Sequence, residues 1–415
     1  MASQTLKISC VLLLGLYCLF LAPSCMGAPT TDQANLKALF DGRRWFELRD
    51  SVVDRRTPAF YQGVVACAFN EARRCKNILG SVIRSHPKSD EAIEAHKRLA
   101  SFYLTHGKYR EALAHLNAVL AVKPDDSDAL GVQPLLAALS EFPDQHMVRR
   151  RSTALQLQEG GVPFSINSVQ ATYWFDTGAN FSILSESEAK RFGLQVRGVA
   201  AKARVSTGAQ VDFRIAVADQ LFFGPILLRH VAFLVFPDDQ LPFKDEPLRS
   251  RGLIGIPVLL AFERIVWGAD KKFEIGSKSV NARPTRPNLC FDGNTPVTQL
   301  QFDGRNLRFV LDTGATNTDL FPPFASEFPE LIRNAEKTDS YRMEGVGSAK
   351  NVNAAILESV RFVVGGFPVV LKQANALLTP TGETSKFFHG NLGIDLLQQA
   401  HQTTFDFKSM TLTLQ

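Results

Sequence analysis

Between about residues 31 and 141, apolar and small side chains recur every three or four positions, the period of helices that bury one face. The stretch from Glu91 to Pro124 carries the pattern best. Leu99, Ala100 and Tyr103 line one helix, Tyr109, Ala112, Leu116 and Val119 line a second, and Pro124 closes the pair. Gly107 suits the break, since a residue without Cβ accepts a tight turn at little steric cost. A looser copy runs through Gly63, Ala66, Cys75, Leu79, Val82 and Pro87. Trp45, Phe46 and Leu48 suggest an earlier helix, and Leu135, Leu136 and Leu139 a closing one. Residues 142–152 hold a proline and charges without an apolar period, and are expected as a linker.

Beyond residue 152 the period becomes two. Leu155, Leu157, Phe164, Ile166, Val169 and Ala171 fall in short alternating runs, as do Val211 to Ile215, Val231 to Phe236, Val360 to Val364 and Val369 to Leu371. Asp303-Gly304 between Phe302 and Leu307 predicts a hairpin. Ser185, with Glu188 three residues on, predicts the cap of a short helix up to Phe192.

One motif recurs within this β-rich part. Asp176-Thr177-Gly178-Ala179-Asn180 follows the apolar run Tyr173-Trp174-Phe175, and Asp312-Thr313-Gly314-Ala315-Thr316 follows Phe309-Val310-Leu311. A later apolar-Gly signal accompanies each copy, Leu253-Ile254-Gly255 and Asn391-Leu392-Gly393. The aspartates lie 136 positions apart and the later glycines 138 apart, so the two motifs keep register across a half-chain, as an internal duplication would. Between them lie small glycine-bearing turns, Ser206-Thr207-Gly208-Ala209 and Glu344-Gly345-Val346-Gly347. A single Asp-Thr-Gly is weak, because an aspartate after a strand commonly serves as a turn former or cap. The doubling with matched context is what gives it weight.

Composition narrows the picture. Apolar residues make up 45% and charged residues 21% of 415 positions, which fits two or three folded units. Net charge is +5 with no basic stripe interleaved with aromatics, so nucleic acid is excluded as the natural partner. Arg149-Arg150-Arg151 reads as a solvated part of the linker. Lys7, the apolar run Ile8 to Leu21, and small residues at Ser24, Gly27 and Ala28 are expected as an export signal over residues 1–28. An uncleaved anchor, or lipidation at Cys25, is the alternative. Cys10, Cys18 and Cys25 fall in or beside that segment, leaving Cys67, Cys75 and Cys290. That odd, sparse set is neither a disulfide framework nor a zinc site, and Cys67 and Cys75 are expected to pack as small buried hydrophobes, the alternative being that they meet across a helical hairpin in an oxidising compartment. His86, His96, His106 and His115 scatter over different helical faces and His389 is expected to be structural, so no metal ligand set or Ser-His-Asp order emerges.

The helical offsets resemble the tetratricopeptide repeat. Residues from about 153 to 415 resemble the retropepsin–pepsin clan of aspartic proteases, nearest the retropepsin-like members with Asp-Thr-Gly-Ala. The resemblance rests on the two Asp-Thr-Gly motifs and the two later glycine motifs. It implies a multidomain chain: a helical tetratricopeptide-like domain at 29–141, a linker at 142–152, and a mainly β, bilobal protease of two retropepsin-like barrel halves at 153–283 and 284–415. It implies Asp176 and Asp312 as the catalytic pair, with Thr177, Gly178, Thr313 and Gly314 supporting the loops. Ala179, Asn180, Ala315 and Thr316 would contact substrate backbone, and Thr207, Gly208, Gly345 and Gly347 would belong to flaps. Neither turn carries the flap tyrosine typical of pepsins, though Tyr341 lies nearby.

The residue types suit that chemistry. Two carboxylates held close cannot both ionise cheaply, so they share a proton. The ionised member takes a proton from water and the protonated one hydrogen-bonds the scissile carbonyl. No cofactor or metal is needed. The expectation is an exported, periplasmic or secreted aspartic endopeptidase acting on a peptide or protein, monomeric because both aspartates lie on one chain. A dimer pairing halves between chains is the alternative. A second alternative keeps the fold as a non-catalytic peptide-binding or scaffold protein that docks partners through its helices.

Overall fold

The computed structural model describes residues 31–52, 56–204, 210–240, 247, 251–276, 286–345 and 348–415. The expected signal at 1–28 lies outside them. Among the described residues no helix is long and apolar enough to cross a membrane.

A helical region comes first: Thr31–Asp41, Trp45–Ser51, Ala59–Ala68, Ala72–Ser85, Asp90–Thr105, Tyr109–Val122 and Ser127–Ser140. Its starts are capped where the sequence offers a short polar side chain. Ser89 accepts from the Ala92 N–H at 3.1 Å and Asp126 from the Ala129 N–H at 3.0 Å. Leu99, Ala100, Tyr109, Ala112, Leu116 and Val119 are buried, and Tyr103 half-buried. Gly107 adopts a left-handed φ of +66°, and a Cβ there would meet Gln145 at 2.6 Å. The expectation for two cysteines is corrected: Cys67 and Cys75 form a disulfide, with Cα atoms 4.7 Å apart, between consecutive helices. Their apolar surroundings misled the sequence reading, because buried cysteines look alike whether paired or free. A second correction concerns His96 and His115. They share a face across the helix pair, with Nδ1 atoms 2.8 Å apart and Tyr103 stacked on His115. Burial lowers both pKa values, His115 to about 4, where the neighbouring His96 adds to it.

The rest is largely β, in curled sheets. One row of strands runs Val162–Ile166, Val169–Phe175, Gly252–Ile254, Ser182–Ser185, Val231–Phe236, Gln210–Ala218, Arg197–Arg204. A second runs Thr295–Phe302, Arg305–Leu311, Gly390–Leu392, Asp319–Leu320, Phe367–Leu377, Ser348–Val364, Glu336–Gly345. Position by position these are the same order of strands. The expected hairpin turn is present, with Asp303 and Gly304 at φ +46° and +71°. So is the helix Glu186–Arg191, capped by Ser185.

A five-stranded sheet joins the two rows. Arg264–Gly268 pairs antiparallel with Gln402–Asp406, and Thr153–Gln156, Lys272–Ile275 and Thr411–Leu414 complete it. Strands from both expected halves therefore share one sheet, and the expected boundary at 283/284 falls outside the described residues. The expected linker is also not bare chain: His146–Arg149 pairs antiparallel with Ile226–Arg229. Backbone hydrogen bonds along an edge need no apolar period, so the composition gave no warning.

The helices are packed onto this β body. Tyr109 stacks on Phe181 with centroids 6.0 Å apart, and Gln145 Nε2 donates to the Pro257 carbonyl at 2.7 Å. Arg43 pairs with Asp292 at 2.8 Å and Asn70 Nδ2 donates to the Phe407 carbonyl at 2.9 Å. The disulfide closes a short loop, so cross-linking entropy limits its contribution to about 2.5 kcal/mol. Replacing both Cys67 and Cys75 by serine is expected to lower unfolding stability by roughly that amount. Urea denaturation with and without reductant measures it, and the double variant should no longer respond to reductant.

Candidate active site

Phe175 ends its strand under three aromatic rings, Trp267, Phe273 and Phe405, at 5.3, 5.0 and 6.0 Å. The chain then leaves the strand into the first Asp-Thr-Gly loop. Leu311 ends the matching strand and leads into the second. Under each loop runs the strand of the later glycine motif. Asp176 N–H donates to the Ile254 carbonyl at 2.8 Å and Asp312 N–H to Leu392 at 3.0 Å. Ile256 and Ile394 N–H donate back to the Ala179 and Ala315 carbonyls, both at 2.9 Å. Gly255 N–H bonds the Ser182 hydroxyl, and Gly393 N–H bonds that of Thr318. A Cβ on Gly255 or Gly393 would lie within 2.8 or 2.9 Å of the same alanine carbonyls, so both positions need glycine.

The loops meet through their threonines. Thr177 Oγ1 donates to the Leu311 carbonyl at 2.8 Å and accepts from Thr313 N–H at 3.0 Å. Thr313 Oγ1 donates to the Phe175 carbonyl at 2.8 Å and accepts from Thr177 N–H at 3.0 Å. Four buried bonds thus cross between segments 136 residues apart. Asp176 and Asp312 are fully buried beside one another. A Cβ on Gly178 would lie 2.7 Å from Asp312 Oδ1, and one on Gly314 2.4 Å from Asp176 Oδ2. These two glycines therefore admit each carboxylate to the opposite loop.

Asp176 Oδ1 accepts from Gly178 N–H at 2.7 Å. Asp312 Oδ1 accepts from Gly314 and Ala315 N–H at 3.0 and 3.1 Å, and its Oδ2 accepts from Asn391 Nδ2 at 2.8 Å. Burial and then the charge of Asp312 push the Asp176 pKa well above the usual carboxylate range, against the pull of the Gly178 and Gly314 N–H groups.

Asp319 beside this pair was not expected from the sequence, and Tyr341 and Asn391 were named there without their contacts. Asp319, seven residues after Asp312, accepts from Tyr341 Oη at 2.7 Å. Tyr341 stands on the hairpin strand Glu336–Gly345, so the hairpin is tied down next to the loop. Asp319 keeps part of its surface as a residue, but desolvation of its carboxyl pushes its pKa up to about 7. The Tyr341 bond opposes that rise and the charges of Asp395 and Asp312 add to it. Asn391 was visible only as a departure from the apolar-apolar-Gly pattern.

Of the remaining expected residues, Ala179, Asn180 and Ala315 are buried and Thr316 is half-buried. Gly345 ends its strand opposite Ser348, while Thr207, Gly208 and Gly347 lie outside the described residues. Among the described residues no group of three or more His, Cys, Asp or Glu is placed to hold a metal ion. His389 is buried, its Nδ1 accepting from Arg308 N–H and its Nε2 3.0 Å from Glu327.

Two expected outcomes follow from this geometry. Thr177→Val removes a donor and an acceptor at once and leaves the Thr313 N–H and the Leu311 carbonyl buried without partners, costing about 2–4 kcal/mol in urea denaturation. Thr313→Val should cost the same, and the double variant less than the sum, because the bonds form one network. The folded-state pKa of Asp319 lies above its unfolded value of 3.8, so its stabilising effect is full below 3.8 and lost as pH rises through about 7. Stability should fall between about pH 4 and about pH 7, and Asp319→Asn should remove on the order of 2 kcal/mol of that fall.

Residues 162–258 match the model of a family described as Aspartyl protease. No curated protein matches the chain. The matched segment holds Asp176, its loop and the glycine motif beneath it, so this part of the chain is similar to aspartyl proteases and the match suggests protease activity.

Proposed function

We propose that the chain is an exported, single-chain aspartic endopeptidase that hydrolyses peptide bonds with water activated by Asp176 and Asp312. The observation that carries this is the meeting of the two Asp-Thr-Gly loops through reciprocal threonine bonds, with both carboxyls buried side by side. Such a pair holds one proton over a wide pH range, because burying two adjacent negative charges is costly. The ionised carboxyl takes a proton from water as the oxygen attacks the scissile carbonyl. The protonated carboxyl supplies its proton to the carbonyl oxygen.

The strand rows with one order suit two retropepsin-like lobes, and the hairpin end bearing Gly345 is one flap in this reading, with Thr207 and Gly208 assigned to the other from the sequence alone. Tyr341, held by Asp319, anchors the second flap. An extended peptide lies between the lobes. That both loops come from one chain supports a monomer. The Cys67–Cys75 disulfide suits an oxidising compartment and so supports export through residues 1–28. The helix pairs act as tetratricopeptide-like repeats that present a protein partner or substrate.

Peptide cleavage measured against pH tests the reading. Wild-type protein should cleave and be blocked by pepstatin. Asp176→Asn and Asp312→Asn should each fall by at least about 100-fold, the scale of a lost general acid or base. Activity surviving in either variant would remove the shared dyad. Tight peptide binding without cleavage by the wild type would make the protein a binding module.

A further inference from the structure

The two loops make matching backbone bonds to the strands beneath them, and one of the differences between those strands falls under the aspartates. In the first half Leu253 pairs in register with Trp174, two residues before Asp176. In the second half Asn391 pairs in register with Val310, two residues before Asp312. The same place in the fold thus holds an apolar side chain under one aspartate and an amide under the other. Leu253 is buried in an apolar cluster and has nothing to donate. Asn391 Nδ2 donates to Asp312 Oδ2 at 2.8 Å. Asp312 therefore has donors on both oxygens, two N–H groups on Oδ1 and the amide on Oδ2. Asp176 has Gly178 N–H on Oδ1 and only a lesser pull from the Gly314 N–H that bonds Asp312, and no hydrogen bond reaches its buried Oδ2.

We propose that Asn391 is a positioning residue that breaks the symmetry of the pair, holding the negative charge on Asp312 and leaving the shared proton on Asp176. Hydrogen bonds to a carboxylate favour its charged form. A buried carboxyl oxygen that receives no bond is the one that can carry a proton and donate it. The surroundings agree. Asp319, on the strand beside Asn391, is itself neutral at acidic pH and then does not repel Asp312. Tyr341 donates to Asp319, and Asp395 accepts from Thr318, so both are engaged in bonds of their own.

The inference rests on the proposed proteolysis and assigns its roles. Asp312 takes one proton from water while the new C–O bond forms, and Asp176 gives its proton to the carbonyl oxygen as the C=O π bond opens. On collapse Asp312 passes its proton to the departing nitrogen as the C–N bond breaks. Asp176 recovers its proton from a hydroxyl of the intermediate, and the pair returns to its starting state.

The test is a direct titration that needs no substrate. In protein carrying 13C at the aspartate Cγ, the resonance missing in Asp312→Asn identifies Asp312 and that missing in Asp176→Asn identifies Asp176. In the wild type the Asp312 resonance should reach its ionised position at lower pH than that of Asp176. In Asn391→Leu, which copies the first half, the first ionisation of the pair should move up by about one pH unit, the scale of one lost bond to a charge. Asn391→Ala gives the same readout should the leucine not fit. The proposal is overturned if Asp176 ionises first in the wild type, or if the first ionisation is unmoved in a folded Asn391 variant. Where the wild type also cleaves peptide, the acid limb of kcat/KM should move with the titration. A titration that follows expectation in a protein that cleaves no peptide would sustain the asymmetry and sink the protease reading alone.

Discussion

The β body depends on one closed set of bonds, the exchange between Thr177 and Thr313. Each hydroxyl donates to the carbonyl before the opposite aspartate and accepts from the opposite threonine N–H. Every polar atom in the exchange is used, so neither loop can shift without leaving a buried group unpaired. That is why two carboxyls can be kept side by side in the interior. The four neutral bonds hold them there and do not depend on either carboxyl's ionisation.

Around that exchange the remaining parts serve as walls. The paired glycines at 178 and 314 leave room for the facing carboxyls, and those at 255 and 393 let the lower strands run close beneath the loops. The ring cluster about Phe175 draws on two neighbouring strands of the five-stranded sheet through Trp267 and Phe405. The helices continue the same body, since Tyr109 rests on Phe181, five residues after Asp176. A movement of the helices relative to the sheets would therefore be felt near the first loop.

Much of this was legible because it is periodic or repeated. The change of period near residue 152 separated helices from strands, and the doubled motif with its matched later glycines located both loops. What the sequence did not disclose are pairings between particular side chains. Cys67 and Cys75 occupy apolar positions whether bonded or not. His96 and His115 meet only because two helices cross at those turns. His146–Arg149 forms a strand by backbone bonds that its polar composition does not advertise. Asp319 and Tyr341 lie 22 residues apart on different strands, and no spacing rule links them. Asn391 was the one partial clue, an amide where the pattern asks for an apolar residue, and only its contact with Asp312 explains it.

The shared five-stranded sheet has a consequence in time. Asp176 is synthesised early, yet Leu392, which lies under the second loop, and Phe405, which packs on Phe175, come more than two hundred residues later. Contacts of such separation form late, after the intervening chain has been ordered. A ribosome-bound chain that has completed the first Asp-Thr-Gly loop holds half of a constellation with no second carboxyl to face it. The duplicated design thus delays the assembled pair until the second half has followed the first.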